Sequence, residues 1–402
     1  MKPFKAILGM DAAQAGIAFH LIDTDNNELA AGSLPASTEG MGKLAATLLA
    51  HKLHWTDLLG AIESTGPWHL PWCEKLHQLG VRTYVLNPLI AKRTTTPDNA
   101  IRDRKTDPLD AAGLAQTLLR EHRRLERFLY RRDCPLFRLR RLQNTRQTVR
   151  ENLTNLKKSL GTLLAITFPE LRSVKLSDAR QRALISAAPT PADILALDEA
   201  SLKAIAGAKT QALCEAAARS FASAELAQAS APALQQLAKT IGEIEDNLAG
   251  FDTLIEQHAP EALGAERIGK AQTLPGFGEK TALVILANIP VGLLETPMPQ
   301  RKLANKIQAQ LGCEPRVRTS GQWTGKTKLS KRGNVQGRIA LYQAASCAIM
   351  HDGPLQAIYR GLRARGKPHK VAIYDIGRRL IRRLAAVLKS NPQTLQTSSC
   401  LP

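Results

Sequence analysis

The spacing of apolar residues changes once along this chain, near residue 130, and that change limits what each half can fold into. Before it, apolar residues come in short alternating runs, FKAILGMD, IAFHLID and ELAAGSL, separated by AQAG and DTDNN. A period of two predicts a meander of three strands over 4–35 with a polar hairpin turn. The helix-like stretch GMGKLAATLLAHKL then precedes LLGAIEST, and PWHLPWCEKLHQLG precedes VRTYVLNP. Antiparallel strands followed by strands alternating with helices predict a mixed α/β unit. From 136 the step becomes seven: Leu142, Val149, Leu156 and Leu163 with Leu153 and Leu160, then Leu234, Ile241, Leu248 and Ile255 with Leu237, Ile244 and Phe251. Such seams predict coiled-coil helices or long helical hairpins. Between them, an Ala-rich stretch at about 177–228 reads as helical packing. The expected class is α/β plus all-α, with domains at 1–125, 126–265 and 266–402.

Charge narrows the choice of partner. The formal net charge is +20, and residues 301–402 hold 20 Lys and Arg against only Glu314, Asp352 and Asp375. Mixed signs are enough for solubility, so this asymmetry points to a polyanion. The six cysteines form no CxxC or His-Cys cluster, which argues against a zinc site or a disulfide framework and fits a reducing cytoplasm. The longest apolar run, 282–294, is too short for a bilayer and contains Pro290 and Gly292, and the N-terminus shows no signal-peptide pattern. A soluble cytoplasmic protein with no membrane partner is expected.

Acidic residues stand out against that background. Asp11 ends the first expected strand and Glu63 the fourth, while Asp107 and Asp110 lie three apart in IRDRKTDPLDAAGLAQ, just after Arg102, Arg104 and Lys105. One reading of the pair is a helix start, Asp107 capping and Pro108 in the first turn. The other is a metal site acting on a phosphodiester. Strand ends at one edge of a sheet are where α/β sites collect. Four converging carboxylates would stay ionised only with a cation, and all-oxygen ligands suit Mg²⁺ or Mn²⁺. The order Asp, Glu, Asp-x-x-Asp on this pattern resembles the RNase H-like fold of RuvC resolvases. Further on, PGFG before a helix resembles a helix-hairpin-helix turn, in which Gly276 and Gly278 let backbone N–H groups approach a phosphate; an ordinary helical corner is the alternative. The basic face of the first seam (Arg138, Arg140, Arg141, Arg146, Arg150, Lys157, Lys158) is either solvated or a nucleic-acid contact.

LGMD, AIESTG, LNP followed by RDRKTDPLDAAGLA, LPGFGEKTA, and GCEPRVRTSGQWTGKTKLSKRGNVQGRIALYQAA occur in that order. Together they resemble the DEDD transposases of insertion sequences, the one-ten class with its eleven-eleven branch, which are bridge-RNA-guided recombinases. The resemblance covers about 1–165 and 268–390. It implies a RuvC-like DEDD catalytic domain, a helical coiled-coil middle with an Ala-rich insertion, and a basic C-terminal transposase domain. It also implies that Asp11, Glu63, Asp107 and Asp110 bind Mg²⁺ or Mn²⁺, and that Ser320 is a nucleophile forming a phosphoserine link to DNA. A lone Ser320 would otherwise read as a turn serine before Gly321. Arg316, Arg318, Lys326, Lys328, Lys331 and Arg332 surround it in sequence and would hold the phosphate, as Arg102, Arg104 and Lys105 would beside the acids.

Donor and target double-stranded DNA, a structured guide RNA, and a homodimer pairing into a tetramer through the coiled-coil segments complete what the resemblance implies, in a cytoplasmic protein that is nucleoid-associated when active. A site-specific DNA invertase of the same superfamily, and a RuvC-like nuclease using water in place of Ser320, are the alternative enzymes. A basic nucleic-acid scaffold is the non-enzymatic one, and it leaves the four acids unexplained.

Overall fold

The computed structural model describes residues 4–64, 66–88, 107–132, 134–290, 293–294, 296–316, 319–320, 323–324, 328–331 and 333–389. They fall into two compact units, Met1–Asp133 and Cys134–Pro402.

In the first unit, β1 (Ala6–Ala12), β2 (Gly16–Asp23) and β3 (Glu28–Pro35) form the expected antiparallel meander. Asp23 builds its turn by accepting the N–H groups of Asp25 and Asn27, and Asn26 takes φ 67°. Then come α1 (Thr38–Ala50), β4 (Leu58–Glu63), α2 (His69–Gln78), β5 (Arg82–Leu86) and α3 (Asp107–Glu121). The sheet order is β3-β2-β1-β4-β5, with β4 parallel to both β1 and β5.

Alternation sends successive residues of a strand to opposite faces. Ala6, Leu8 and Met10 of β1 and Leu58 and Ile62 of β4 join Leu44 and Leu48 of α1 and Trp72, Cys73 and Leu76 of α2. Ile7 of β1 and Leu59 and Ala61 of β4 join Leu114, Ala115 and Leu118 of α3 on the other face. The sheet is thus covered on both faces by helices.

The second unit is mostly helical. Its long elements are α4 (Cys134–Thr167), of 34 residues, and α10 (Ala224–Leu263), of 40 residues. Between them lie α5 (Leu171–Val174), α6 (Asp178–Ala187), α7 (Pro191–Ala196), α8 (Glu199–Ala206) and α9 (Thr210–Ala218). After them come α11 (Ala265–Gln272), α12 (Glu279–Ala287), α13 (Gln300–Gln310), α14 (Val335–His351), α15 (Gly353–Ala364) and α16 (His369–Lys389). One apolar cluster joins Leu153, Leu160 and Leu164 of α4 to Leu234, Ile241 and Leu248 of α10 and to the short helices; a second runs from Leu136 and Ile255 through α11–α16. The expected boundary at 265 falls inside this unit, next to the second cluster.

Both heptad seams therefore face each other within one chain. Arg138 pairs with Glu261, Arg146 with Asp252, and Lys157 with Glu245, so the partner number falls as the α4 number rises and the helices run antiparallel. The seams that the sequence offers as contacts between subunits are already occupied by one another. The same pairs neutralise Arg138, Arg146 and Lys157 of the basic face of α4, while Arg140 donates to the Ala287 carbonyl at the end of α12 (2.6 Å).

Asp252 accepts from Arg146 and from Lys280 (2.7 Å). Burial alone would raise its pKa, but these cationic hydrogen bonds outweigh it and hold the carboxyl below the ordinary value. A depressed folded value means that the stabilisation is complete above the unfolded value of about 4 and is lost as pH falls through the folded one. Urea unfolding followed from pH 6 to pH 3 is expected to show this acid loss in the native chain and a flatter curve in Asp252→Asn.

Candidate active site

The carboxylates are placed by a glycine. A Cβ on Gly9 would lie 2.0 Å from the Ala111 carbonyl oxygen and 2.6 Å from the Ala115 nitrogen, so α3 rests on β1 backbone to backbone. Ala111 and Ala115 give the helix a small-residue face for this approach, and both are fully buried. Asp110 adjoins Ala111, and Asp107 opens the same first turn of α3.

Asp11 is two residues beyond Gly9, so it shares Gly9's face of the sheet, about 7 Å further along the strand. Met10 is in register with Ile62 on the parallel neighbour β4, which makes Glu63 level with Asp11. Glu63 follows Leu59 and Ala61 at alternate positions on that same face. Asp11, Glu63 and Asp110 are half-buried, and Asp107 is exposed.

These four donors are hard oxygens, the chemistry that suits Mg²⁺ or Mn²⁺. Asp11, Glu63 and Asp110 each have interaction partners. Among the described residues, no three acids, histidines or cysteines stand close enough together to hold a metal ion. The chain supplies the donor type and the common face, with the like charges held apart.

Ser320 lies in the second unit, on β7 (Thr319–Ser320), which pairs with β8 (Trp323–Thr324); Ser320 is opposite Trp323. Outside this pair, β6 (Pro315–Arg316) meets β9 (Lys328–Leu329), with Arg316 opposite Lys328. Ser320 is thus a paired residue of a short antiparallel ladder. The hairpin base is tied down where a Cβ on Gly333 would meet the Gly312 nitrogen at 2.1 Å, and where Lys331 (φ 53°) and Ser330 donate to the Gly312 and Glu314 carbonyls. Lys331 is exposed. Arg102, Arg104, Lys105, Arg318, Lys326 and Arg332 lie outside the described residues.

Gly276 has another use than the one the sequence suggested. Its φ is 79°, and a Cβ there would lie 2.0 Å from the Ala344 carbonyl oxygen of α14, so the position is glycine for helix packing. Gly278 is exposed with open space around it and caps the N-terminus of α12. Cys73 and Cys313 are poor nucleophiles, because burial pushes the Cys73 thiol up to about 12 and that of Cys313 up to about 11. Gly9 and the basic residues of α15 and α16 are functional candidates that sequence reasoning passed over. Their signals were a glycine two residues before a strand-end acid, and RGLRARGKPHK at 360–370.

The site thus sits on a three-strand antiparallel meander continued by two parallel strands, with Asp11 next to the end of the first strand and Glu63 at the end of the fourth. Residues 8–169 match a family model described as DEDD_Tnp_IS110 transposase, and residues 270–360 match the Transposase IS116/IS110/IS902 family. The two matches follow one another along the chain, so both its N-terminal and its C-terminal parts are similar to domains of IS110-type transposases. Among curated proteins it is 27% identical over 164 residues to an uncharacterized 42 kDa protein of insertion element IS900 from Mycobacterium paratuberculosis, covering 41% of this chain and 39% of that one. It is 25% identical over 177 residues to an uncharacterized 44.8 kDa protein of insertion element IS116 from Streptomyces clavuligerus, covering 43% of each. The matches therefore span about two-fifths of those relatives' lengths. Among solved structures, Thermus thermophilus RuvC in complex with a Holliday junction substrate is similar at 14% identity and TM-score 0.23, over 30% of this chain and 96% of that one. Among the described residues no helix is long and apolar enough to cross a membrane.

The seat of α3 on the sheet makes a direct expectation. In Gly9→Val the clashing atoms are backbone and cannot swing away, so a loss of about 1–3 kcal/mol or more is expected in urea unfolding.

Proposed function

We propose that this chain is a DNA recombinase of the transposase type, which cuts DNA, holds a broken strand on Ser320 as a phosphoserine, and rejoins it to a new strand. What supports the reading is that Asp11 and Glu63 are level on the face of the sheet that α3 covers, and that Asp107 and Asp110 lie in the first turn of that helix. The chain also carries both transposase domains and a strongly basic C-terminal quarter.

The four acids are the residues that would hold Mg²⁺ or Mn²⁺, whose chemistry when bound is to draw charge from a phosphoryl oxygen. Ser320 Oγ attacks phosphorus and gives up its proton, and the sugar hydroxyl of the cut strand leaves. Attack by the hydroxyl of an incoming strand then releases the serine. One phosphodiester becomes a phosphoserine ester and is re-formed, so no external energy source is needed. Arg316, Arg318, Lys326, Lys328, Lys331 and Arg332 supply positive charge for the phosphate near Ser320, and Arg102, Arg104 and Lys105 supply it near the acids. In this reading a structured guide RNA selects donor and target duplexes. Exchange between two duplexes takes four cuts, so a homodimer pairs into a tetramer, and the work is done at the nucleoid.

The test is a trapping assay. Purified chain, Mg²⁺, guide RNA and labelled element ends are denatured and examined for a protein–DNA adduct. Wild type is expected to give one and Ser320→Ala none. Asp11→Asn is expected to lose more than the ~10–100-fold that an outer partner of a metal ligand costs. Cleavage without an adduct, persisting in Ser320→Ala, would make water the nucleophile and overturn the reading.

A further inference from the structure

The positive charge of the second unit is of two kinds. Along α4, Arg138, Arg146 and Lys157 end on carboxylates of α10, and the exposed Arg141, Arg150 and Lys158 are spread along the helix. On α16, Arg378 and Arg379 pair with Asp375, and Arg383 pairs with Asp352. The corner between α15 and α16 is different. Arg360, Arg363, Arg365, Lys367 and Lys370 are all exposed there, and the sequence holds no acid from Gly353 to Tyr374. Among the described residues, none of the five pairs with a carboxylate.

The corner is also held still. Gly366 takes φ 75° and, with Lys367, donates N–H groups back to the Arg363 and Leu362 carbonyls, which ends α15. Arg363 donates to the Lys367 carbonyl at 2.6 Å. His369, at the start of α16, has Tyr359 Oη 2.7 Å from Nδ1 and Tyr342 Oη 3.3 Å from Nε2, tying the corner to α15 and α14. A 21-residue helix begins at this point, and its positive end adds to the field.

We infer that this α15–α16 corner is a preformed seat for the phosphate backbone of duplex DNA, an inference that rests on the reading of the chain as a DNA-acting protein. Five unneutralised cations on a tied turn match a polyanion. The tyrosines nearby are half-buried and engaged with His369. They offer no exposed ring for unstacked bases, which single strands would need, so a duplex with its bases already covered is the occupant.

The experiment is the salt dependence of affinity of the full chain, as Ser320→Ala so that no strand is cut, for a labelled DNA duplex. Each phosphate contact contributes about 0.9 to the slope of log affinity against log salt, or about 3–4-fold in affinity between 50 and 200 mM. Arg360→Gln/Lys367→Gln/Lys370→Gln removes three cations. It is expected to lower the slope by up to about 2.7. Arg138→Gln/Lys157→Gln, which removes neutralised cations, is expected to leave it unchanged. An unchanged slope in the triple variant, an equal loss in the control, or a loss seen with structured RNA but not with duplex DNA would each overturn the inference. None of these outcomes depends on a covalent adduct, so the corner and the Ser320 chemistry fail separately.

Discussion

Helix α3 can lie on β1 only because residue 9 has no side chain, and the geometry of the first unit follows from that contact. With the Gly9 position 2.0 Å from the Ala111 carbonyl for any added Cβ, the helix and strand touch through their backbones. The first turn of α3 is fixed by that seat, and with it Asp107 and Asp110. Strand alternation does the rest, because Asp11 shares Gly9's face, and the parallel register brings Glu63 level. A side chain at residue 9 would lift the helix and move two acids away from the other two. Asp107 and Asp110 thus depend on a contact that neither of them makes.

The second unit solves a different problem, that of carrying a large excess of positive charge without self-repulsion. Along α4 and α10 the answer is pairing: Arg146 and Lys280 share Asp252, while Lys157 and Arg182 share Glu245. These partly buried pairs run beside the apolar seam and fix the two helices in antiparallel register. At the α15–α16 corner the charge is left unpaired and the backbone is tied by hydrogen bonds instead. The paired cations help to hold the fold, and those of the corner are the ones inferred to meet a phosphate backbone.

Much of this was legible in the sequence, for stated reasons. A period of two marked the first three strands, and short apolar runs after helices marked β4 and β5, where β4 is buried on both faces, against α1 and α2 on one side and α3 on the other. A seven-residue step marked α4 and α10. What the step could not say was which seam meets which: a heptad looks the same whether its partner lies in the same chain or in another. Ser320 pairs with Trp323 in a stretch, RVRTSGQWTGKTKL, that has too few apolar residues to set a period. Asp11 was legible as a strand-end acid, but Gly9 was not, because its role depends on Ala111, about a hundred residues away. The tie of His369 to Tyr342 and Tyr359 likewise joins three helices and leaves no local pattern.

The claim that most of the account rests on is that Asp11, Glu63, Asp107 and Asp110 act together as one cation site. Mn²⁺ binding to the full chain, followed by electron paramagnetic resonance without any DNA cleavage, tests it directly. The account predicts a bound ion that is lost or strongly weakened in Asp11→Asn, in Glu63→Gln and in Asp110→Asn alike, while Gly278→Ala leaves it unchanged. Binding that survives each of the three acid substitutions would contradict it and return these carboxylates to the roles of strand-end and helix-cap residues.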